Sequence, residues 1–260
     1  LLLKTVIGRL SFIINIYFLI GIPRAGNTLF GSIMNQNQNV RVSSYSVVPL
    51  LINNILRVKE HKIYLNFPDH RLVDNVLENL FENYYAPLNV DNIIDRGAWG
   101  LDYLLPITKH LIKNRKYIIL YRPILEALAS FVKEEKPDSV HKLCDHLMTD
   151  GILMQNIKSI QNIVNSNEKY RIIHYDNFVN DPIYYIKDTC EFLNIPYIEP
   201  NLYDIKQFGI DGYRYDDTVA GGDFHLIRTN EIKKNDTNIE DYLPIDIIDK
   251  YKDYELKFND

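Results

Sequence analysis

Residues 21–28 read Gly-Ile-Pro-Arg-Ala-Gly-Asn-Thr, the G-x-x-x-x-G-x-T frame of a loop that turns backbone N–H groups inward around a phosphate. Arg24 contributes a permanent positive charge, and Asn27 stands where nucleoside-triphosphate enzymes carry the lysine that reaches the β- and γ-phosphates. The frame keeps an anion site and speaks against a triphosphate. A second pair comes later. Arg122 ends the apolar run Lys116–Tyr121, and Ser130 follows eight residues on, two turns up a helix and on the same face as its start. A metal-dependent nucleotide enzyme places an aspartate at such a strand end to hold Mg²⁺; a cation there repels a metal and draws a second anion. The competing reading pairs Arg122 with a surface carboxylate and makes Ser130 an ordinary helix residue.

Other side chains could carry proton transfer or ligand contact. Asp95 closes the strand candidate Asn92–Asp95 and leads into Arg96-Gly-Ala-Trp-Gly100. It could accept a proton or serve as a structural hydrogen-bond partner. Glu60, His61, His70 and His225 read more simply as surface residues than as a base. Trp99, the one tryptophan, suits either stacking on a ligand or core packing. His141, Cys144 and His146 have spacing loosely like that of metal ligands but no accompanying fourth ligand cluster, and we expect no metal.

The elements that must position these groups alternate. Asn15–Ile20 is a short apolar stretch ending at Gly21, and Thr28–Asn35 follows with Leu29, Phe30, Ile33 and Met34 at helical spacing. Further strands are expected at Val40–Ser44, Asn92–Asp95, Lys116–Tyr121 and Tyr170–His174. Helices are expected over Val47–Val58, from Pro68 to Phe81, from Pro123 to Val132, over Asp150–Asn165, and from Asn180-Asp-Pro to Leu193. Residues 133–150, charged and proline-containing at the start, read as a loop or lid. Residues 205–235, with the Gly221-Gly222 turn, read as a second closing loop ahead of an acidic C-terminal helix. The result is an α/β three-layer sandwich with a mostly parallel sheet, its ligands at the carboxyl ends of the strands.

Composition limits what the fold can serve. The 260 residues fit one domain, 1–260, with 1–13 as an N-terminal extension. A net charge of −5 gives no global basic field, so no nucleic-acid partner is expected and an anion must be held by local arginines. Two cysteines are too few for a disulfide framework and suit a reducing compartment, hence a cytoplasmic expectation. The uncharged run Leu10–Pro23 is too short to cross a bilayer as a helix, so no transmembrane span is expected.

A nucleotide with two separated anionic ends and no metal is 3′-phosphoadenosine 5′-phosphosulfate, and here the sequence resembles the sulfotransferase family. Ile22-Pro-Arg-Ala-Gly-Asn-Thr-Leu29 is similar to the family's 5′-phosphosulfate loop, and Tyr121-Arg-Pro-Ile-Leu-Glu-Ala-Leu-Ala-Ser130 to its 3′-phosphate motif. His174-Tyr-Asp-Asn-Phe-Val-Asn-Asp-Pro182 with Phe192-Leu-Asn-Ile-Pro196 resembles its tyrosine-bearing strand end and closing turn. Pro-Arg-Ala-Gly with Asn35-Gln-Asn37 looks closer to bacterial and tyrosylprotein-type members than to the cytosolic small-molecule branch.

The resemblance implies the P-loop-like sulfotransferase fold and metal-free in-line transfer of a sulfuryl group to a hydroxyl or amine. The acceptor class is open: a small molecule, glycan, lipid or peptide. It further implies that Arg24, with Ala25, Gly26, Asn27 and Thr28, holds the phosphosulfate and stabilises the transition state. Arg122 and Ser130 would hold the 3′-phosphate, Tyr175 would lie against adenosine, and Arg228 would reach the 3′-phosphate from a C-terminal loop. Tyrosylprotein-type relatives carry an acid just after a Val-Arg pair, whereas Val40-Arg41 is followed here by Val42-Ser-Ser-Tyr45. Asp95 is the substitute candidate for the base. Two competitors stand beside this reading: a non-catalytic nucleotide-binding protein on the same fold, and a kinase with a degenerate loop.

Overall fold

The structure, a computed structural model, describes residues 14–43, 45–207, 209–210, 213–214, 226–227, 232 and 237–258. Its first half runs β1 (Asn15–Gly21), α1 (Asn27–Met34), β2 (Val40–Ser43), α2 (Val48–Glu60), α3 (Lys62–Leu65), α4 (Arg71–Glu78), α5 (Leu80–Tyr85), β3 (Asn92–Arg96) and α6 (Leu105–Leu111). The second half continues through β4 (Tyr117–Tyr121), α7 (Ile124–Glu135), α8 (Val140–Thr149), α9 (Ile152–Val164), β5 (Tyr170–His174), α10 (Tyr175–Asn180), α11 (Pro182–Leu193), a short β6–β7 hairpin (Gly209–Ile210, Tyr213–Arg214) and α12 (Ile245–Tyr251).

Five strands form one all-parallel sheet in the order β2-β3-β1-β4-β5. Every residue of β4 is buried, as is all of β1 after Asn15, which requires cover on both faces and accounts for their unbroken apolar sequences. From β1 the chain first builds toward β2 and β3, then crosses to β4 and β5. The order therefore reverses beside β1, and the crevice at such a reversal is where open α/β sheets bind ligands. The loops after β1 and β4 both open there.

Packing and hydrogen bonding account for Trp99 and for the Asn35-Gln-Asn37 triplet. Trp99 is fully buried, its ring centroid 4.9 Å from that of Phe18 and 5.6 Å from that of Phe81; it packs the sheet and is closed to a nucleotide. Asn35 accepts from the Val42 N–H (2.7 Å) and donates to the Val42 carbonyl (3.2 Å), while Asn37 donates to the Pro196 carbonyl (2.7 Å). The Asn-Gln-Asn triplet thus ties the end of α1 to strand β2 and to the turn after α11.

Residues 133–150 are not the loop that their sequence suggests. They are the end of α7, a short connection and all of α8. Lys136 takes the left-handed conformation that ends α7 (φ 45°), and Ser139 caps α8 by accepting from the Lys142 N–H (3.3 Å). The charges at 133–138 mask the spacing of Cys144, Leu147 and Met148, which are all buried. The helix expected from Pro68 to Phe81 is likewise two pieces, α4 and α5, divided at Asn79. Within 205–235 the described residues form the β6–β7 hairpin and a two-way pairing of Gln207 with the Ile227 backbone. Gly221-Gly222, His225 and Arg228 lie outside the described residues, as do residues 1–13.

Candidate functional site

The loop after β1 bends through two left-handed residues, Arg24 (φ 70°) and Gly26 (φ 77°). For arginine this is a strained backbone, costing on the order of 1 kcal/mol. Glycine at 26 is needed twice over, because a Cβ there would also lie 3.1 Å from Cδ2 of the Tyr175 ring. Gly26 caps α1, whose first internal bond runs from the Phe30 N–H to the Gly26 carbonyl (2.9 Å), and no side chain caps that end. The N–H groups of Asn27, Thr28 and Leu29 precede this bond and form the donor crown expected at a helix start.

Two members of the loop have other duties. The Ala25 N–H donates back to the Ile22 carbonyl (3.0 Å), so the donor role expected for it is corrected: it closes the turn. The Asn27 side chain points inward as well, Nδ2 donating to the Ile22 carbonyl (2.9 Å) while Oδ1 is buried without a hydrogen-bond partner. Asn27 can offer a ligand its backbone N–H only.

Arg24 is the largest departure from expectation. Two separate pockets, one on the loop and one on Arg122 with Ser130, become a single cluster. The Arg24 guanidinium donates through Nε to Ser130 Oγ (3.1 Å) and through Nη2 to Glu134 Oε2 (3.1 Å). Arg122, only 2 % exposed, donates through Nη1 to the Arg24 carbonyl (3.1 Å) and through Nε to Glu126 (3.1 Å). Its guanidinium lies 4.6 Å from the Tyr175 ring centroid, a cation–π stack. Tyr175 is the first residue of α10 and is wedged between Gly26 and Arg122. In this geometry it steadies the arginine that was expected to grip the nucleotide.

Two residues that the sequence reading passed over complete the cluster. Glu126, Ser130 and Glu134 recur every four residues on α7 and so form one stripe, which meets Arg122 and Arg24. That spacing was available in the sequence. Burial holds the neighbouring Glu135 carboxyl above its ordinary pKa, against the Arg24 charge, which lowers it. The start of α7 is fixed from elsewhere: Glu255 accepts from the Ile124 N–H (3.2 Å) and from the Tyr121 hydroxyl.

Asp95 lies on the other side of β1 and is fully buried. Its Oδ2 accepts from the Tyr85 hydroxyl (2.5 Å) and Ser46 Oγ (3.0 Å), and Ser46 in turn accepts from the Val48 N–H (3.1 Å) at the head of α2. Burial pushes its pKa up to about 7, against hydrogen bonding that lowers it, from Tyr85 and Ser46 first and then from the Trp99 indole. The indole N–H and Oδ1 nonetheless fall short of hydrogen-bond geometry, and both atoms are otherwise without partners. A general base must touch the acceptor proton, and Tyr85, Ser46 and Trp99 enclose this carboxyl. The base assignment is therefore corrected: Asp95 anchors the entry to α2.

The remaining constellation dissolves. His141 pairs with Asp246 on α12 (2.8 Å), and His146 faces Asp150 at 4.0 Å. Cys144 is buried with its thiol pushed up to about 11 by desolvation. Among the described residues no group of three or more His, Cys, Asp or Glu side chains could hold a metal ion, and Cys144 and Cys190 are both free. Among those residues, too, no helix is long and apolar enough to cross a membrane.

Compared by sequence, the chain matches no family model and no curated protein. Compared by structure, it is similar to sulfotransferases. The sulfotransferase domain from the curacin biosynthetic pathway aligns over 95 % of this chain and 93 % of its own at 18 % identity and a TM-score of 0.54. The sulfotransferase domain of the Synechococcus PCC 7002 olefin synthase aligns over 94 % and 96 % at 16 % identity and 0.52. Mouse sulfotransferase SULT7A1, solved with PAP bound, aligns over 93 % and 82 % at 10 % identity and 0.57. The fold is that of the sulfotransferases.

Proposed function

We propose that this chain is a sulfotransferase that moves a sulfuryl group from 3′-phosphoadenosine 5′-phosphosulfate to a hydroxyl or amine by in-line displacement without a metal. One observation carries the reading: Arg24, Ser130, Arg122 and Tyr175, from three separate segments, meet within hydrogen-bonding and stacking distance where the sheet order reverses. The PAP bound by the mouse sulfotransferase supports the choice of nucleotide through the shared fold.

In this reading the N–H groups of Asn27 and Thr28, with the Thr28 hydroxyl, receive the 5′-phosphosulfate. Arg122 and Ser130 receive the 3′-phosphate, and Arg24 stands between the two ends. The S–O bond to the 5′-phosphate breaks as the acceptor oxygen or nitrogen bonds to sulfur. Negative charge therefore grows on the departing phosphate oxygen, where a fixed guanidinium and oriented N–H groups stabilise the transition state more than the ground state.

Donor binding without transfer is the second reading, and the enclosure of Asp95 favours it. Calorimetric titration with 3′-phosphoadenosine 5′-phosphate, followed by transfer of radiolabelled sulfate to a panel of hydroxylated small molecules, lipids, glycans and peptides, separates the two. Heat with labelled product supports the transferase, and heat without product across the panel supports the binding protein. No heat with the desulfated nucleotide, or tight uptake of magnesium-ATP instead, refutes both.

A further inference from the structure

Arg24 is engaged from two directions by α7, its acceptors being Ser130 Oγ and Glu134 Oε2, each at 3.1 Å. Glu126 stands in the same relation to Arg122 one turn before Ser130. Both cations of the proposed donor site thus face carboxylates of one helical stripe. The two pairs differ in accessibility. The Arg122 side chain is 3 % exposed and is also fixed by the Arg24 carbonyl and the Tyr175 ring, whereas the Arg24 and Glu134 side chains are 17 % and 28 % exposed. The two carboxylates are equally exposed, so the difference lies in the cations, and Arg24 is the more open of the two to solvent and to an incoming anion. A guanidinium presents its donors in one planar fork. A phosphate or sulfate oxygen arriving on the fork's Nη side meets the place that Glu134 Oε2 fills.

We propose that Glu134 is an internal anion competing with the donor nucleotide for Arg24, and so sets donor affinity in this chain. Resting on the sulfotransferase reading of the site, this adds a determinant outside both sequence motifs. Release of Arg24 from Glu134 accompanies nucleotide binding, and the released carboxylate turns toward solvent at the end of α7. The competition costs affinity through lost pairing and through repulsion between carboxylate and phosphate. Removing it tightens binding, the reverse of what deleting a ligand-contacting residue does.

The probe is 3′-phosphoadenosine 5′-phosphate, titrated calorimetrically into the whole chain and into three variants. Glu134→Gln removes the charge and is expected to tighten binding about tenfold, which is about 1.4 kcal/mol. Glu134→Asp keeps the net charge but draws the carboxylate back by one methylene, and is expected to tighten it about threefold by the same scale. Asp91→Asn, at the opposite, amino-terminal end of β3, controls for net charge and should leave affinity unchanged. Equal or weaker binding by both Glu134 variants, with the parent chain binding normally, overturns the competition while leaving the function intact. Tightening by Asp91→Asn equal to that by Glu134→Gln also overturns it, because bulk charge then suffices. If neither the parent chain nor the variants bind at about millimolar nucleotide, a range worth only about 4 kcal/mol, the functional reading itself fails and the inference with it.

Discussion

Asp95→Asn isolates the buried carboxyl by its titration. Burial raises the Asp95 pKa from 3.8 to about 7, so the folded chain keeps a proton that the unfolded chain has already shed. The stability this supplies is fully present below the unfolded value and is lost as pH rises through the folded one. The cost is about 1.4 kcal/mol for each pH unit between them. From about pH 4.5 to about pH 8 the site should therefore cost the parent chain about 3 kcal/mol, and the variant none of it. Asparagine also brings a fixed penalty, since its amide donor faces the Trp99 N–H. Subtracting the mutational effect at one pH from that at the other cancels it. Urea unfolding of both proteins at the two pH values is the assay: the substitution should look more favourable at the higher pH by about 3 kcal/mol. A mutational effect that stays constant to within about 1 kcal/mol across that range would mean Asp95 is charged in the folded protein, and the enclosed, protonated network would be wrong.

The remaining expectations concern the cluster at β1 and β4. Arg24→Ala should lower labelled-sulfate transfer on the order of 10²–10³-fold, the usual loss when one preorganised donor to a developing anion is removed. Wild-type turnover would exclude Arg24 from that role. Gly26→Ala combines a φ of 77° with a 3.1 Å approach to Tyr175 and should destabilise the fold by about 1–3 kcal/mol in thermal or urea unfolding. Tyr175→Leu removes the ring beneath Arg122 and should weaken binding of the desulfated nucleotide about threefold or more, and by more than Tyr175→Phe, which keeps the ring. Equal affinities for the Leu and Phe variants would show that the stack has no part in positioning Arg122.

Apolar runs ending at Gly21 and at Arg122-Pro123 placed β1 and β4 to within a residue, because a doubly covered parallel strand has to be apolar throughout; β2, β3 and β5 were placed as closely, although β5 is only partly buried. That Arg24, Arg122 and Ser130 each suit an anion was legible from residue type and spacing. Their convergence was not, since a motif fixes where a backbone turns but leaves open which way a four-bond side chain reaches. Asp95 shows the same gap from the other side. Its place at a strand end is visible in sequence, but the distant Tyr85 and Ser46 that enclose it are not. Charge misled where periodicity was present: α8 was hidden by the polar stretch before it, and Glu126 and Glu134 were passed over because carboxylates are not expected around an anion site.

Gly21 and Asn27 interlock at the base of the loop. A methyl group added at position 21 would fall 1.6 Å from Asn27 Oδ1, so position 21 is not free to gain a side chain while Asn27 stays as it is. Descendants of this chain that gain a side chain at 21 must first shed or redirect the amide at 27. A lineage introducing a phosphate-reaching lysine at 27 would leave the Ile22 carbonyl with the Ala25 N–H alone. Substitutions at 21 should accordingly depend on a prior change at 27, and a library randomising both should recover side chains at 21 only alongside replacements of Asn27.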